Sequence, residues 1–178
     1  NNLLSGSLFY SFSGRSSQYY APLDMVTKGG SFRWGRRFKW PDDYFRGSWS
    51  FTAHQRIYEA DNEEQLQLYT GGLSETVGVS ITQSLSRDSR DHPEFPTIGS
   101  LMAISSSISG GPLGGNEDFH KHVLNLEWYT PTVWKFVLMS SLKIGGIKTL
   151  KSNDGERSMV PFNERFIMGG SGMVYGNP

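Results

Sequence analysis

Seven times along this chain apolar and polar side chains alternate with a period of two, and this pattern constrains the fold more than any other feature of the sequence. Leu8, Tyr10 and Phe12 alternate with Ser7, Ser11 and Ser13. Phe32, Trp34 and Phe38 alternate with Arg33, Gly35 and Arg37. Trp49, Phe51 and Ala53 oppose Ser48, Ser50, Thr52 and His54, and Val77, Val79 and Ile81 interleave with Thr76, Gly78, Ser80 and Thr82. Met102, Ile104 and Ile108 follow the rule more loosely. Leu124, Leu126 and Trp128 oppose Asn125 and Glu127, and Trp134, Phe136, Leu138, Leu142 and Ile144 oppose Lys135, Ser141, Lys143 and Gly145. A period of two sends successive side chains to opposite faces of a strand. Several runs reach the roughly 9–11 residues that a tilted strand needs to cross a bilayer, whereas soluble strands cluster near about five or six.

Composition decides which kind of sheet this is. Apolar residues make up only 37% of 178, little for a soluble core, while aromatics reach 13% and glycine contributes 21 residues. A barrel in a membrane inverts the problem, with apolar side chains facing lipid and polar ones facing a watery lumen. Lys135 and Lys143 on one face of the seventh run would be costly in a packed core and suit such a lumen. The longest apolar run, about Phe136 to Met139, is far below the roughly 20 residues of a spanning helix. The first residues carry neither an initiator Met nor a signal-peptide pattern, which reads as a start inside a longer protein. Seventeen basic and seventeen acidic residues balance, so nothing points to nucleic acid, and the absence of cysteine removes disulfides and thiolate chemistry.

The connections supply an independent pattern. Short turns at Lys39 to Tyr44, Asp91 to Ile98 and Thr130 to Thr132 alternate with longer links at Gly14 to Lys28, Ala60 to Gly72, Gly110 to Phe119 and from Ile147 onward. Outer-membrane barrels have short periplasmic turns and long extracellular loops. Aromatics gather beside the short turns: Trp40, Tyr44 and Phe45, then Phe95, then Trp128, Tyr129 and Trp134. Trp40, Tyr44, Trp128 and Trp134 are expected at the membrane interface, where an apolar ring with a polar edge is at home.

No catalytic constellation stands out, and the chain reads as no enzyme and as needing no cofactor. His120 and His122 would share a face on a strand and could hold a metal, with Glu117 and Asp118 close by. Their place in a Gly-rich link makes solvated loop residues the simpler account. No serine lies in a Gly-x-Ser-x-Gly elbow, and the glycines from Gly110 to Gly115 lack a phosphate-loop lysine. Asp42 and Asp43 follow Pro41 in a turn, where aspartate is expected to bond local backbone.

Three stretches resemble one family. The run from Ser86 to Ser100, in which an Arg-Asx-rich strand end leads through Pro93 and Phe95-Pro96-Thr97-Ile98-Gly99, looks like a mid-barrel segment of the BamA-type outer-membrane assembly factors. Gly29 to Phe45 resembles an earlier hairpin, and Pro161 to Met173, with Phe166, Gly169 and Gly170, resembles the Phe-x-x-Gly-Gly segment opening the sixth extracellular loop. The resemblance implies a bacterial outer-membrane barrel of sixteen strands preceded by POTRA domains. This chain would supply about seven central strands, from about the fifth to the start of the sixth loop. The family's Arg-Gly-Phe/Tyr motif is not in the sequence.

It further implies that the sixth loop folds back into the lumen, with Phe166, Gly169 and Gly170 positioned for that fold. By the alternation, Arg33, Arg37, Arg87, Glu127, Lys135 and Lys143 are expected to face the lumen, where Arg87, Asp88 and Glu127 would help form a polar wall. The implied function is insertion of other barrel proteins. The implied partners are outer-membrane lipid, unfolded barrel clients and accessory subunits of an assembly complex. A related polypeptide transporter, a passive channel and a soluble lipid- or sugar-binding sandwich are the alternatives.

Overall fold

The computed structural model of the chain describes residues 2–14, 23–150, 160–161 and 164–166. Seven strands follow one another: β1 (Asn2–Ser13), β2 (Asp24–Arg37), β3 (Phe45–Glu59), β4 (Glu75–Asp88), β5 (Gly99–Ser109), β6 (Phe119–Pro131) and β7 (Val137–Thr149). They pair antiparallel in sequence order as one sheet that is not closed on itself. Each strand has 11 to 15 residues, long enough to span.

The register is unbroken across each pair, so alternation sorts the two faces. Phe32 pairs Phe51, Phe51 pairs Ile81 and Ile81 pairs Ile108, which places all four on one face. The other face carries Ser48, Ser84 and Ser105 in one row, and Ser50, Thr82 and Ser107 in the next. Neighbouring hydroxyls bond there, Thr82 to Ser107 at 2.9 Å and Ser84 to Ser105 at 3.2 Å. Leu8 is 92% and Tyr10 72% exposed. A soluble sandwich would bury such a face, so its solvent here is hydrocarbon.

The link between β3 and β4 holds a helix, α1 (Glu63–Thr70), where the sequence reads only as polar loop. Glu63 and Glu64 sit at its positive end and Gly71 closes it with a left-handed backbone. Leu66 and Tyr69 of α1 pack on Leu23 and Tyr58, the small apolar cluster at this end of the wall. The seventh strand begins at Val137, three residues later than the alternation predicts. Trp134 and Lys135 lie in the turn instead, Trp134 with a φ of 60°. The amide and hydroxyl of Thr132 both donate to the Phe136 carbonyl, closing the turn before the ladder starts.

Candidate functional site

The polar face carries two ionic clusters, one at each end of the strands. Near the long links, His54 and Arg56 of β3 and Thr76 of β4 converge on Glu117, which arrives from the β5–β6 link. Arg56 donates to both carboxylate oxygens at 2.7 and 2.8 Å, Thr76 donates at 2.7 Å and His54 Nε2 lies 3.1 Å away. Glu117 is 1% exposed and Arg56 8%. Burial works against the ionised carboxyl, but His54, Arg56 and Thr76 together hold it below the usual glutamate range. The close approach depends on Gly78. A Cβ there would meet His54 Cε1 at 2.4 Å and Glu117 Oε2 at 2.6 Å.

The segment from Glu164 to Phe166 lies against this same face. Arg56 Nη2 is 3.5 Å from Glu164, while Lys121 of β6 donates to the Glu164 carbonyl at 2.9 Å and reaches its carboxylate at 3.4 Å. Lys121 Nζ also stands 5.1 Å from the Phe166 ring centroid. The ring rests on bare backbone at Gly145 of β7, where a Cβ would meet it at 2.5 Å. Gly169 and Gly170, named with Phe166 from the sequence, lie outside the described residues.

At the short-turn end the second cluster joins Asp88 and Glu127 through Arg90. Arg90 donates twice to Asp88 at 2.9 Å and comes within 3.7 Å of Glu127, which also accepts from Asn125 at 3.0 Å and Tyr129 at 2.9 Å. Arg87 does not belong here. The β3–β4 ladder stays in register to its end, pairing Arg87 with Phe45, so Arg87 remains on the apolar face with Leu85. There it donates to Asp42 at 2.8 Å and lies over the Tyr44 and Phe45 rings at 5.4 and 6.0 Å. It ties the first short turn to the interface aromatics. Arg33, Arg37 and Lys143 keep the polar face of the alternation.

The turn between β4 and β5 is organised by Asp91, which accepts from the amides of His92, Thr97 and Ile98 and from the Thr97 hydroxyl. The Thr97 bonds, with the other amides, hold its carboxyl well below the usual range. Phe95 projects from this turn, 76% exposed, between Pro93 and Pro96. Gly99 closes it with a φ of 110°, and a Cβ would meet the Ser89 carbonyl oxygen at 2.3 Å. Trp40 and Trp134 are each 84% exposed, and Tyr44 and Trp128 about half, all at the short-turn end.

Arg56, His54 and Arg90 are not singled out in the sequence, and Glu117 is named there only as a neighbour of His120 and His122, not as the partner of Arg56 and His54. His54 and Arg56 are two apart on one strand face, which was the available signal, but only the register shows what they face. His120 and His122 lie in β6 and not in a loop. Among the described residues no group of three His, Cys, Asp or Glu could hold a metal ion.

The Omp85 superfamily domain matches residues 2–178. The outer membrane protein assembly factor BamA of Nitratidesulfovibrio vulgaris is 26% identical over 163 residues, covering 90% of this chain and 19% of its own length. The crystal structure of BamA from Haemophilus ducreyi lacking POTRA domains 1–3 superposes with a TM-score of 0.77 at 18% identity, over 96% of this chain and 34% of that one. The chain thus spans about a fifth of the curated relative's length. Its open sheet is one wall of such a barrel, with the serine-rich face towards the lumen. The chain belongs to the Omp85 superfamily and is a BamA-type fragment of a bacterial outer-membrane β-barrel.

Proposed function

We propose that this wall belongs to a barrel that folds and inserts other β-barrel proteins into the outer membrane. The observation that carries the reading is the match to a protein named as an outer-membrane assembly factor, which runs over 90% of the chain. The chemistry required is strand templating. An open sheet edge presents unpaired donors and acceptors that an incoming strand can satisfy, with no nucleotide consumed. In a sixteen-stranded barrel that edge lies between the first and last strands, and β1 to β7 supply the central wall opposite it. On this reading, POTRA domains, unfolded barrel clients and accessory subunits complete the machine.

Reconstituted full-length protein, with its accessory subunits, is expected to accelerate insertion of an unfolded barrel client into proteoliposomes. Acceleration no greater than that from an unrelated barrel would overturn the proposal. A second reading, the passive channel, is disfavoured by the Glu164–Phe166 segment lying against the inner wall. Steady single-channel conductance from the full-length barrel would favour it.

A further inference from the structure

The lipid-facing side of this wall is not apolar throughout. Leu85, Ile104, Leu124 and Ile144 form one register row across β4 to β7. Directly above it, toward the long links, the row reads Gln83, Ser106, His122 and Gly146, and the next reads Ile81, Ile108, His120 and Lys148. Polar side chains facing hydrocarbon are costly. Two imidazoles and an ammonium immediately above Leu124 and Ile144 therefore mark where the wall leaves hydrocarbon for headgroups.

The side chains form a relay. The Ser106 hydroxyl lies 2.9 Å from His122 Nδ1, and His122 Nε2 lies 3.1 Å from His120 Nδ1. A neutral imidazole has one donor and one acceptor nitrogen. One consistent proton arrangement runs from the Ser106 hydroxyl into His122, from His122 into His120, and leaves His120 Nε2–H directed outward. The register partner of His120 is Lys148, which is exposed. No carboxylate belongs to either row. An N–H donor and an ammonium side by side, with no acid between them, suit an oxyanion. With only two imidazoles and no third ligand among the described residues, a metal cage is not formed.

We propose that His120 and Lys148, backed by His122 and Ser106, bind the phosphate of an outer-leaflet lipid headgroup. The apolar row below seats the acyl chains of the same lipid, so headgroup and tails are recognised together. The site sits on the central wall and is independent of any insertion chemistry at the barrel seam.

The test uses full-length protein in detergent micelles, titrated separately with lipid A, phosphatidylglycerol and phosphatidylcholine, with bound lipid read by native mass spectrometry. The phosphorylated lipids with exposed anionic heads are expected to be retained over phosphatidylcholine. Lys148→Gln should weaken retention about fivefold, the worth of one cation near a charged membrane surface, and His120→Phe, which removes the N–H donor, should weaken it as well. Lys28→Gln, a lysine on the lipid-facing side of β2, should leave retention unchanged. Heat-modifiable gel migration matching the parent shows that each variant still forms a barrel. Equal loss in Lys28→Gln and Lys148→Gln would overturn the proposal, as would retention unaffected by either His120→Phe or Lys148→Gln. Displacement of bound lipid by inorganic phosphate alone would also overturn it, because a free-anion site would then account for the binding.

Discussion

At the scale of single residues, the heaviest electrostatic commitment is Glu117, a loop carboxylate with almost no solvent exposure and three side-chain donors. Glu117→Gln leaves Arg56 buried with only the longer Glu164 contact, and breaking such a pair costs about 3 kcal/mol. Urea unfolding of the full-length protein in micelles should show that loss. Because the carboxyl is held below its unfolded value, its contribution is present above the ordinary glutamate pKa of about 4.3 and disappears as pH falls through the folded value. Asp91 follows the same sign at the opposite membrane face. Asp91→Asn is expected to speed hydrogen exchange at the Thr97 and Ile98 amides without altering strand amides. In the parent, the same exchange should accelerate only below the ordinary aspartate pKa of about 3.9. Arg90 and Arg87 offer a third comparison. Arg90→Gln should weaken the Asp88–Glu127 cluster, whereas Arg87→Gln should loosen the Asp42 turn and leave that cluster intact. Amide exchange at Asn125 and Tyr129 separates the two.

At the scale of elements, the strands were legible because alternation over ten or more residues leaves no other periodicity. All seven occur in the expected order, the seventh starting three residues late, and the long and short links alternate except that the β4–β5 link, residues 89–98, is no shorter than the β5–β6 link, residues 110–118. The differences have local causes. The helix α1 has just eight residues and a weak apolar stripe, so its stability comes from packing Leu66 and Tyr69 on Leu23 and Tyr58, which no local pattern announces. Trp134 continues the apolar alternation of β7 but sits in the turn, because the Thr132–Phe136 closure takes up the chain before pairing begins. Arg87 illustrates a different limit. Expected in the lumen, it shares the parity of Leu85 and Ile81 and so takes the other face, where aromatic rings and Asp42 accommodate it. The partners of Phe166 lie on β6 and β7, and pairing them required the register. Gly145→Val should push the Phe166 ring off the wall. A cysteine crosslink between positions 121 and 164 would then form less efficiently than in the parent barrel.

At the scale of the whole wall, one face meets hydrocarbon and the other a lumen whose two ends are charged and whose middle is hydroxylated. The family assignment rests on a match to residues 2–178, and the fold on a superposition covering 96% of the chain. The chain spans about a fifth of the curated relative's length, and the insertion activity proposed above is one for the full-length protein. Full-length protein carrying Glu117→Gln should keep client insertion if Glu117 serves only to pin the β5–β6 link. A fall in insertion rate with barrel stability restored by milder conditions would instead make the link part of the working cycle.

The rows of serine and threonine between the two clusters carry a mechanical consequence. Ser48, Ser50, Ser84, Thr82, Ser105 and Ser107 are short, hydrated and equivalent to one another as donors and acceptors. Across β3 to β5 a segment lying along them exchanges one weak bond for the next at almost no net cost, whereas the same rows continue on β6 and β7 to Lys121 and Gly145, which hold Glu164 and Phe166. A segment tucked against this wall is therefore anchored on β6 and β7 and meets little friction across β3 to β5.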